Sequence, residues 1–94
     1  MVEASVVVTS EVGLHARPAS LFVQAANRFR SAIRVRNLTT GSESVDAKSI
    51  LGVLTLGVLR GHEILIAADG TDEREAVQFL VELIEANFAE VEGA

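Results

Sequence analysis

The feature that most constrains the fold is the alternation of apolar and charged residues in "AIRVRNL", residues 32–38. Its isoleucine and valine occupy every second position, and Arg34 and Arg36 follow them in turn. A strand with this pattern buries one face and leaves the other in water. Because the strands of parallel sheets are apolar on both faces, the alternation predicts an antiparallel sheet that helices cover on one face only.

Further segments of the chain complete an order of seven elements. The predicted strands cover residues 2–9, 32–38, 44–47 and 63–68, with the turn "TTGSES" pivoting on Gly41. Helices are predicted over residues 18–29, within "KSILGVLTLG" and after "ADGTDERE". The order β-α-β-β-α-β-α predicts an α+β two-layer sandwich, a four-stranded antiparallel sheet covered on one face by three helices. We expect one domain over residues 1–90 and a short acidic tail over 91–94.

The first helix has an apolar face and a start signal. Phe22, Ala26 and Phe29 fall at i, i+4 and i+7, which places them on one side of a helix. Pro18 suits a first helical turn, where its missing N–H leaves no intrahelical bond unmade. Proline also biases the preceding residue, Arg17, away from the α region. The helix is therefore predicted to begin near Pro18.

The other two helices carry capping signals. "KSILGVLTLG" is short enough to form either a buried strand or a helix, but Ser49 as N-cap and Gly57 just past the end favour a helix of about two turns. Thr71 or Asp72 can cap the last helix. Its predicted apolar stripe comprises Val77, Leu80, Leu83, Ile84 and Phe88.

Composition excludes several classes of protein. The 94 residues include no cysteine, which excludes disulfides and thiolate metal sites and fits a reducing cytoplasm. A formal net charge of −5 and phenylalanine as the only aromatic residue argue against nucleic-acid binding. No secretory signal and no membrane-spanning run is evident, so we expect a soluble cytoplasmic protein without membrane insertion. The basic run, expected to solvate a helix end and the open sheet face, is Arg28, Arg30, Arg34 and Arg36.

The stretch "VGLHARPAS", residues 12–20, places His15 just before the first predicted helix. First-turn N–H groups carry partial positive charge and attract anions, of which phosphate is the commonest. Arg17 adds a fork of donors suited to phosphoryl oxygens. Positive charge beside His15 favours a neutral imidazole, whose nitrogen is a nucleophile. The residues thus indicate a phosphoryl acceptor, the alternative being that His15 only caps the helix or lies in a solvated loop. The other histidine, His62, is expected to be solvated at a turn, and two isolated histidines form no zinc pattern.

Two motifs resemble those of a known family. "GLHARPAS" at 13–20 resembles the active-site signature of HPr, the histidine-containing phosphocarrier of the bacterial phosphoenolpyruvate:sugar phosphotransferase system. "VDAKSILGVLTLG" at 45–57 resembles that family's second signature, around a regulatory serine. The predicted element order is similar to the family's open-faced sandwich, and the resemblance covers essentially the whole chain. The chain departs from compact members in a longer "TTGSES" turn and an acidic ending, "AEVEGA", both away from the motifs.

The resemblance implies a role for each matched residue. His15 corresponds to the histidine that is phosphorylated on Nδ1 by Enzyme I and passes the group to sugar-specific IIA domains. Arg17 corresponds to the arginine that contacts the phosphoryl group, and Pro18 to the proline that shapes the helix start. Ser49 corresponds to the serine that HPr kinase/phosphorylase modifies in some bacteria, although it is a competent cap without regulation. The implied protein is a monomeric carrier without metal or cofactor, and not an enzyme that turns over substrates alone.

The resemblance also implies that Enzyme I and IIA domains dock beside His15. Part of the second helix is then exposed as an apolar patch, the alternative being that its apolar residues pack in the core. The residues expected on this surface are Ala16, Ser20, Leu21, Gln24, Ile50, Leu51 and Leu54. Two other functions compete with the carrier: a regulatory HPr paralogue that acts mainly through Ser49 and docking, and a ferredoxin-like ligand- or RNA-binding module. A purely regulatory paralogue needs no nucleophilic histidine, and the module leaves "HARP" unexplained.

Overall fold

A four-stranded antiparallel sheet forms the frame of the chain, of which the computed structural model describes residues 1–89. Its strands are β1 (Val2–Val7), β2 (Ala32–Asn37), β3 (Val45–Asp46) and β4 (Glu63–Asp69), in the spatial order β1-β4-β2-β3. The helices of the described residues are α1 (Ala16–Ala26), α2 (Ile50–Thr55) and α3 (Glu73–Glu85). The predicted fold class and the order β-α-β-β-α-β-α are therefore confirmed. The predicted acidic tail, residues 91–94, lies outside the described residues.

The sheet has one buried and one exposed face, as the alternation in β2 predicts. β4 lies between β1 and β2 and pairs antiparallel with both. The register places Ile66 opposite Val35, and both side chains are fully buried. One position along β4, Ala67 pairs with Glu3 on one side and Arg34 on the other, both of which are exposed. The helices cover the first of these faces, and the arginines of β2 lie on the open one.

Two amphipathic helices bury their apolar stripes against the covered face. Phe22 of α1 and Leu80 of α3 have no exposed surface. Burying one such side chain contributes about 1.5–3 kcal/mol, so these stripes hold α1 and α3 in place. The whole predicted stripe of α3 is buried, namely Val77, Leu80, Leu83, Ile84 and Phe88.

Helix α1 begins two residues before Pro18, within the range that the proline signal predicts. Its first residue is Ala16, and Arg17 is helical even though Pro18 disfavours that conformation for the residue before it. The backbone enters the helix through Ala16 at φ +49°, a left-handed value that costs a residue with a Cβ about 1–2 kcal/mol. Pro18 is the third helical residue, where an N–H has no intrahelical partner. The chain thus turns sharply at Ala16, directly after His15.

The C-terminal end of α1 is held by long-range hydrogen bonds and lies earlier than predicted. The Asn27 side-chain amide donates to the Val23 carbonyl at 2.9 Å and to the Lys48 carbonyl at 3.1 Å. The Lys48 ammonium donates to the Phe29 carbonyl at 2.7 Å. Helix α1 therefore ends at Ala26, and its last residues lie beside the segment that leads into α2.

The ambiguous apolar run forms a helix, as its capping signals predict. The Gly52 N–H donates to the Ser49 hydroxyl at 3.1 Å, so Ser49 is the N-cap of α2. Leu56 is the C-cap, and Gly57 follows at φ +59°, the left-handed conformation that commonly terminates helices.

The cap predicted for the last helix has a different role. Asp72 is the N-cap residue of α3, but its side chain makes no capping bond. Its carboxylate instead accepts hydrogen bonds from the Arg30 N–H at 2.9 Å, the Ser31 N–H at 2.9 Å and the Ser31 hydroxyl at 2.5 Å. The Ser31 hydroxyl, followed by the Arg30 N–H, lowers the pKa of Asp72 to about 2. Asp72 therefore fastens the start of α3 to the turn before β2.

Candidate functional site

A tight turn over residues 10–13 delivers the chain to His15. The Gly13 N–H donates to the Ser10 carbonyl at 3.0 Å, and the Ser10 hydroxyl donates to the Gly13 carbonyl at 2.5 Å. Ser10 is buried, so this reciprocal pair is protected from water. Gly13 has φ +66°, a left-handed conformation that glycine adopts without steric penalty.

The loop between α2 and β4 forms a wall against which this turn packs. The Leu14 N–H donates to the Val58 carbonyl at 3.0 Å, and the Leu14 side chain is fully buried. A Cβ at Gly13 would lie 2.1 Å from the Val58 oxygen and 2.8 Å from the Leu59 Cα. His15 thus follows a buried, hydrogen-bonded residue whose position the wall determines.

His15 is the N-cap residue of α1, and its side chain makes no capping hydrogen bond. Its backbone is extended, with φ −133° and ψ 169°, and the residue is half-buried. The alternative role of a side-chain helix cap is therefore absent, and the imidazole is not engaged by the helix that follows it.

The helix start after His15 presents the partial positive charge of its backbone N–H groups. The first turn of α1 contains no acidic residue, and Arg17 is an exposed residue of that turn. The Ala19 N–H, which donates to the His15 carbonyl at 3.4 Å, makes the first intrahelical bond at this end. A helix start of this kind and an arginine both favour an anion at the imidazole. The arrangement suits a phosphoryl group attached to the imidazole, because that group carries negative charge.

Ser49 lies at the other end of α2 from the His15 site. Lys48, beside Ser49, is bonded to the C-terminal end of α1, whereas Val58, just past α2, binds Leu14 at the beginning of α1. The two packed helices therefore run in opposite directions. The six residues of α2 span about 9 Å between these ends. The structure places His15 and Ser49 at opposite ends of one helix pair rather than in one cluster.

Six of the seven predicted docking residues are exposed on α1 and α2, which pack side by side. On α2, Leu51 is 75% exposed, Ile50 40% and Leu54 39%, so these apolar residues are not core. On α1, the Gln24 amide donates to the Ser20 hydroxyl at 3.1 Å, along a stripe of the helix surface. We call the set the α1–α2 patch; it consists of Ala16, Ser20, Gln24, Ile50, Leu51 and Leu54.

Leu21 is the predicted docking residue that the structure places differently. It is only 9% exposed and packs within the hydrophobic core. Arg28 lies just past the end of α1, and its guanidinium is 4.8 Å from the ring centre of Phe79 on α3. Leu21 and Arg28 together line a cavity of about 220 Å³. Gln24 of the α1–α2 patch lines the same cavity, so burial is what distinguishes Leu21 from the patch residues.

His62 is not the solvated residue that its sequence context suggests. Its Nδ1 accepts the Leu59 N–H at 3.1 Å and lies 3.1 Å from the side-chain amide nitrogen of Asn37. Asn37 is fully buried and also donates to the Leu56 carbonyl at 3.2 Å. The signal that could have revealed this pair is Asn37 itself, a polar residue at a buried position of the alternating strand β2. The Val58 carbonyl carries no such signal, because it is a backbone group of an apolar residue.

The remaining candidates show no second site. In residues 1–89, no group of three or more histidine, aspartate or glutamate side chains is arranged to hold a metal ion. None of the helices described is long and apolar enough to span a bilayer. Within the basic run, Arg34 and Arg36 lie on the open face of the sheet, as expected, and Arg34 donates to the Ser44 hydroxyl and carbonyl at 3.0 and 2.9 Å.

Comparison with known proteins identifies relatives over nearly the whole chain. The family profile described as PTS HPr component phosphorylation site matches residues 2–86. HPr-like protein Crh of Halalkalibacterium halodurans is 45% identical over 85 residues, which are 90% of this chain and 98% of that protein. The crystal structure of HPr-C-His from Thermoanaerobacter tengcongensis is 45% identical with a TM-score of 0.89, covering 95% of this chain and 97% of that one. Crh of Bacillus subtilis, described as a dimer with a swapped domain, is 42% identical with a TM-score of 0.70, covering 92% and 95%.

These relatives have consequences for the expectations drawn from the sequence. The expected monomer receives no support from them, because the similar structures include an HPr dimer and Crh dimers. The family match spans both signature motifs and all seven elements, and the structures share the sheet and the helix layer. The chain therefore belongs to the PTS HPr family, whose members serve as phosphocarriers or as HPr-like regulatory proteins.

Proposed function

We propose that the chain is a phosphocarrier that accepts a phosphoryl group on His15 from phosphorylated Enzyme I and passes it to sugar-specific IIA domains. One observation carries the proposal: the His15 side chain makes no capping bond, although the residue is the N-cap of a helix whose first turn has Arg17 and no acid. A regulatory protein that acts only by docking needs no nucleophile at this position. The proposed setting is the bacterial cytoplasm, in sugar transport and carbon regulation.

The proposed transfer forms one bond and breaks one bond in each direction. The Nδ1 lone pair of His15 attacks the phosphorus, and a nitrogen–phosphorus bond forms. The bond between the phosphorus and its carrier atom on Enzyme I breaks, and its electron pair stays with that atom. Arg17 and the start of α1 stabilise the negative charge of the transferred group. The group then leaves for the IIA domain by the reverse step, so the protein is a stoichiometric carrier.

Labelling from phosphoenolpyruvate tests the carrier. The chain incubated with labelled phosphoenolpyruvate and catalytic Enzyme I is expected to gain one acid-labile, base-stable phosphate. His15→Ala is expected to take none, and His62→Asn, a change at the other histidine, is expected to reach full labelling. An unlabelled chain, or label that persists in His15→Ala, would contradict the carrier. Transfer onward to an added IIA domain tests the second half of the proposal.

A second proposed feature is regulation through phosphorylation of Ser49. The Ser49 hydroxyl is half-buried and accepts the Gly52 N–H, and it adjoins the exposed Ile50 and Leu51. A phosphate there adds about two negative charges beside the α1–α2 patch. These charges weaken the binding of partners whose contacting surface is apolar or acidic. The cognate HPr kinase/phosphorylase and ATP are expected to give an acid-stable phosphate that is lost in Ser49→Ala. Without that phosphate, Ser49 is a helix cap only.

The alternative is a regulatory HPr-like protein that acts mainly through Ser49 and docking. The similarity to two Crh proteins favours keeping this alternative. The two functions differ in one measurable property, since the regulatory protein exchanges no phosphate with Enzyme I. The labelling experiment therefore decides between them.

A further inference from the structure

We propose that His62 is a positioning residue for phosphoryl transfer at His15, acting through the loop between α2 and β4; this inference rests on the carrier function proposed above. The two histidines are 47 positions apart in the sequence, and His62 lies just before β4. Its role follows from hydrogen bonds that connect its ring to the backbone on which His15 stands.

His62 binds both polar backbone groups of Leu59, one through its ring and one through its backbone. The Leu59 N–H donates to the ring atom Nδ1 of His62 at 3.1 Å, and the backbone N–H of His62 donates to the Leu59 carbonyl at 3.0 Å. Leu59 is the residue whose Cα would lie 2.8 Å from a Cβ at Gly13, so it is in close contact with the turn that delivers the chain to His15. The ring thus sets the conformation of the wall where the wall meets that turn.

Asn37 ties this arrangement to the sheet. Its side-chain amide nitrogen donates to the Leu56 carbonyl and lies 3.1 Å from His62 Nδ1. Its side-chain oxygen accepts the N–H groups of Thr39 at 3.0 Å and Thr40 at 3.3 Å, which fixes the amide orientation. With N–H donors facing Nδ1, this ring nitrogen acts as a hydrogen-bond acceptor.

Val58, the residue before Leu59, supports the backbone next to His15. The Val58 carbonyl, one residue before Leu59, accepts the Leu14 N–H, and Leu14 precedes His15. If the His62 ring fixes the conformation of the loop, it also fixes the position of the Val58 carbonyl, which accepts the Leu14 N–H. Phosphoryl transfer is sensitive to such placement, since a displacement of about 1 Å at the reacting atom can lower a rate by about 100-fold.

The rest of the loop remains attached when the ring is changed, so substitution is compatible with folding. The Gly61 N–H donates to the Val8 carbonyl at 2.7 Å, and the Val8 N–H donates to the His62 carbonyl at 2.9 Å. These bonds use the backbone of residues 61 and 62 and are independent of the side chain. Loss of the ring acceptor therefore loosens the Val58–Leu59 wall without detaching the loop from β1.

A matched pair of variants tests the role. His62→Leu keeps a similar volume and removes the acceptor, whereas His62→Asn provides an oxygen at a position similar to Nδ1. In rapid-quench transfer from phosphorylated Enzyme I, His62→Leu is expected to lower kcat about tenfold with KM unchanged, because docking residues are untouched. His62→Asn is expected to restore kcat to within about twofold. Ser31→Ala, which breaks the remote Asp72 contact, is expected to lower the Tm and leave kcat unchanged.

Three results would overturn the proposal: an unchanged kcat in His62→Leu, equal rates in His62→Leu and His62→Asn, or a kcat in Ser31→Ala that falls in step with the Tm. The first result would show that the His62 ring does not affect the transfer rate. The second would show that its acceptor nitrogen does not affect that rate. The third would show that any loss of stability slows transfer.

Amide hydrogen exchange separates this inference from the carrier function. In His62→Leu, exchange at Leu14 and Leu59 is expected to accelerate about tenfold, while exchange in the centre of β4 is expected to stay unchanged. If the unsubstituted chain takes no phosphate, the carrier function fails, whereas the exchange measurement still decides whether His62 holds the wall. Unchanged exchange at Leu14 would show that it does not.

Discussion

Replacing Gly13 with alanine would test whether the wall of the α2–β4 loop determines the His15 site. The added Cβ would lie 2.1 Å from the Val58 oxygen, far inside the contact distance of these atoms. The nearby atoms belong to the backbone of Val58 and Leu59, so no side-chain rotation can relieve the clash. The turn and the wall must separate, which stretches the bond between the Leu14 N–H and the Val58 carbonyl.

Two contributions make up the expected loss of stability. Gly13 has φ +66°, where a residue with a Cβ is destabilised by about 1–2 kcal/mol. Weakening the Leu14 hydrogen bond and separating the packed backbone add about 1–2 kcal/mol. We therefore expect Gly13→Ala to lower the free energy of unfolding by about 2–4 kcal/mol, which for a domain of 94 residues is a Tm decrease of about 10–30 °C.

Gly41→Ala is the matched control. Gly41 has φ +74°, almost the same conformation, but nothing lies within 4 Å of its added Cβ. Only the conformational contribution of about 1–2 kcal/mol applies to it. Urea unfolding of both variants measures the difference, and transfer from phosphorylated Enzyme I is expected to slow in Gly13→Ala alone. Equal losses of stability in the two variants, or an unchanged transfer rate in folded Gly13→Ala, would show that the α2–β4 loop does not hold the turn before His15.

Three further outcomes are expected. Ser49→Ala removes the acceptor for the Gly52 N–H and should lower the free energy of unfolding by about 1 kcal/mol in a denaturant titration, whereas an unchanged midpoint would show that water replaces the cap. The pKa of Asp72 is lowered to about 2, so its contribution to stability is present above pH 4 and is lost as pH falls toward 2. Asp72→Asn should therefore reduce the decrease in Tm at acidic pH. Identical profiles of Tm against pH for the two proteins would contradict that contribution. Leu51→Ser should weaken Enzyme I binding in calorimetry with little change in Tm, whereas Leu21→Ser should chiefly lower the Tm by opening the core. Unchanged binding in Leu51→Ser together with weakened binding in Leu21→Ser would exclude the α1–α2 patch as the docking surface.

Local patterns sufficed for much of the fold because they depend on neighbours along the chain. Alternation in β2 identified which face is buried, and the spacing of apolar residues identified the stripe of α3. Ser49 and Gly57 identified both ends of α2, since caps use backbone groups of the same helix. The order of these elements was enough to select an antiparallel sandwich.

The site was predictable to the extent that it is made of consecutive residues. His15 and Arg17 flank the start of one helix, so their proximity follows from the sequence. Leu21 was expected on an exposed surface but is only 9% exposed, because the sequence does not show how far the packed layer reaches around a helix. Asp72 was expected to cap its own helix, but its carboxylate contacts residues 41 and 42 positions away.

Interactions among residues close in the chain were thus enough to predict the strands, the helices, their order and His15 as the candidate phosphoryl acceptor. Only the folded chain shows what surrounds His15. The Val58 carbonyl accepts the Leu14 N–H across 44 positions, and the His62 ring accepts the Leu59 N–H in the loop that packs against the turn before His15. These contacts form because the packed sheet and helices bring distant backbone groups together and exclude water, and buried N–H and carbonyl groups then require partners in the protein.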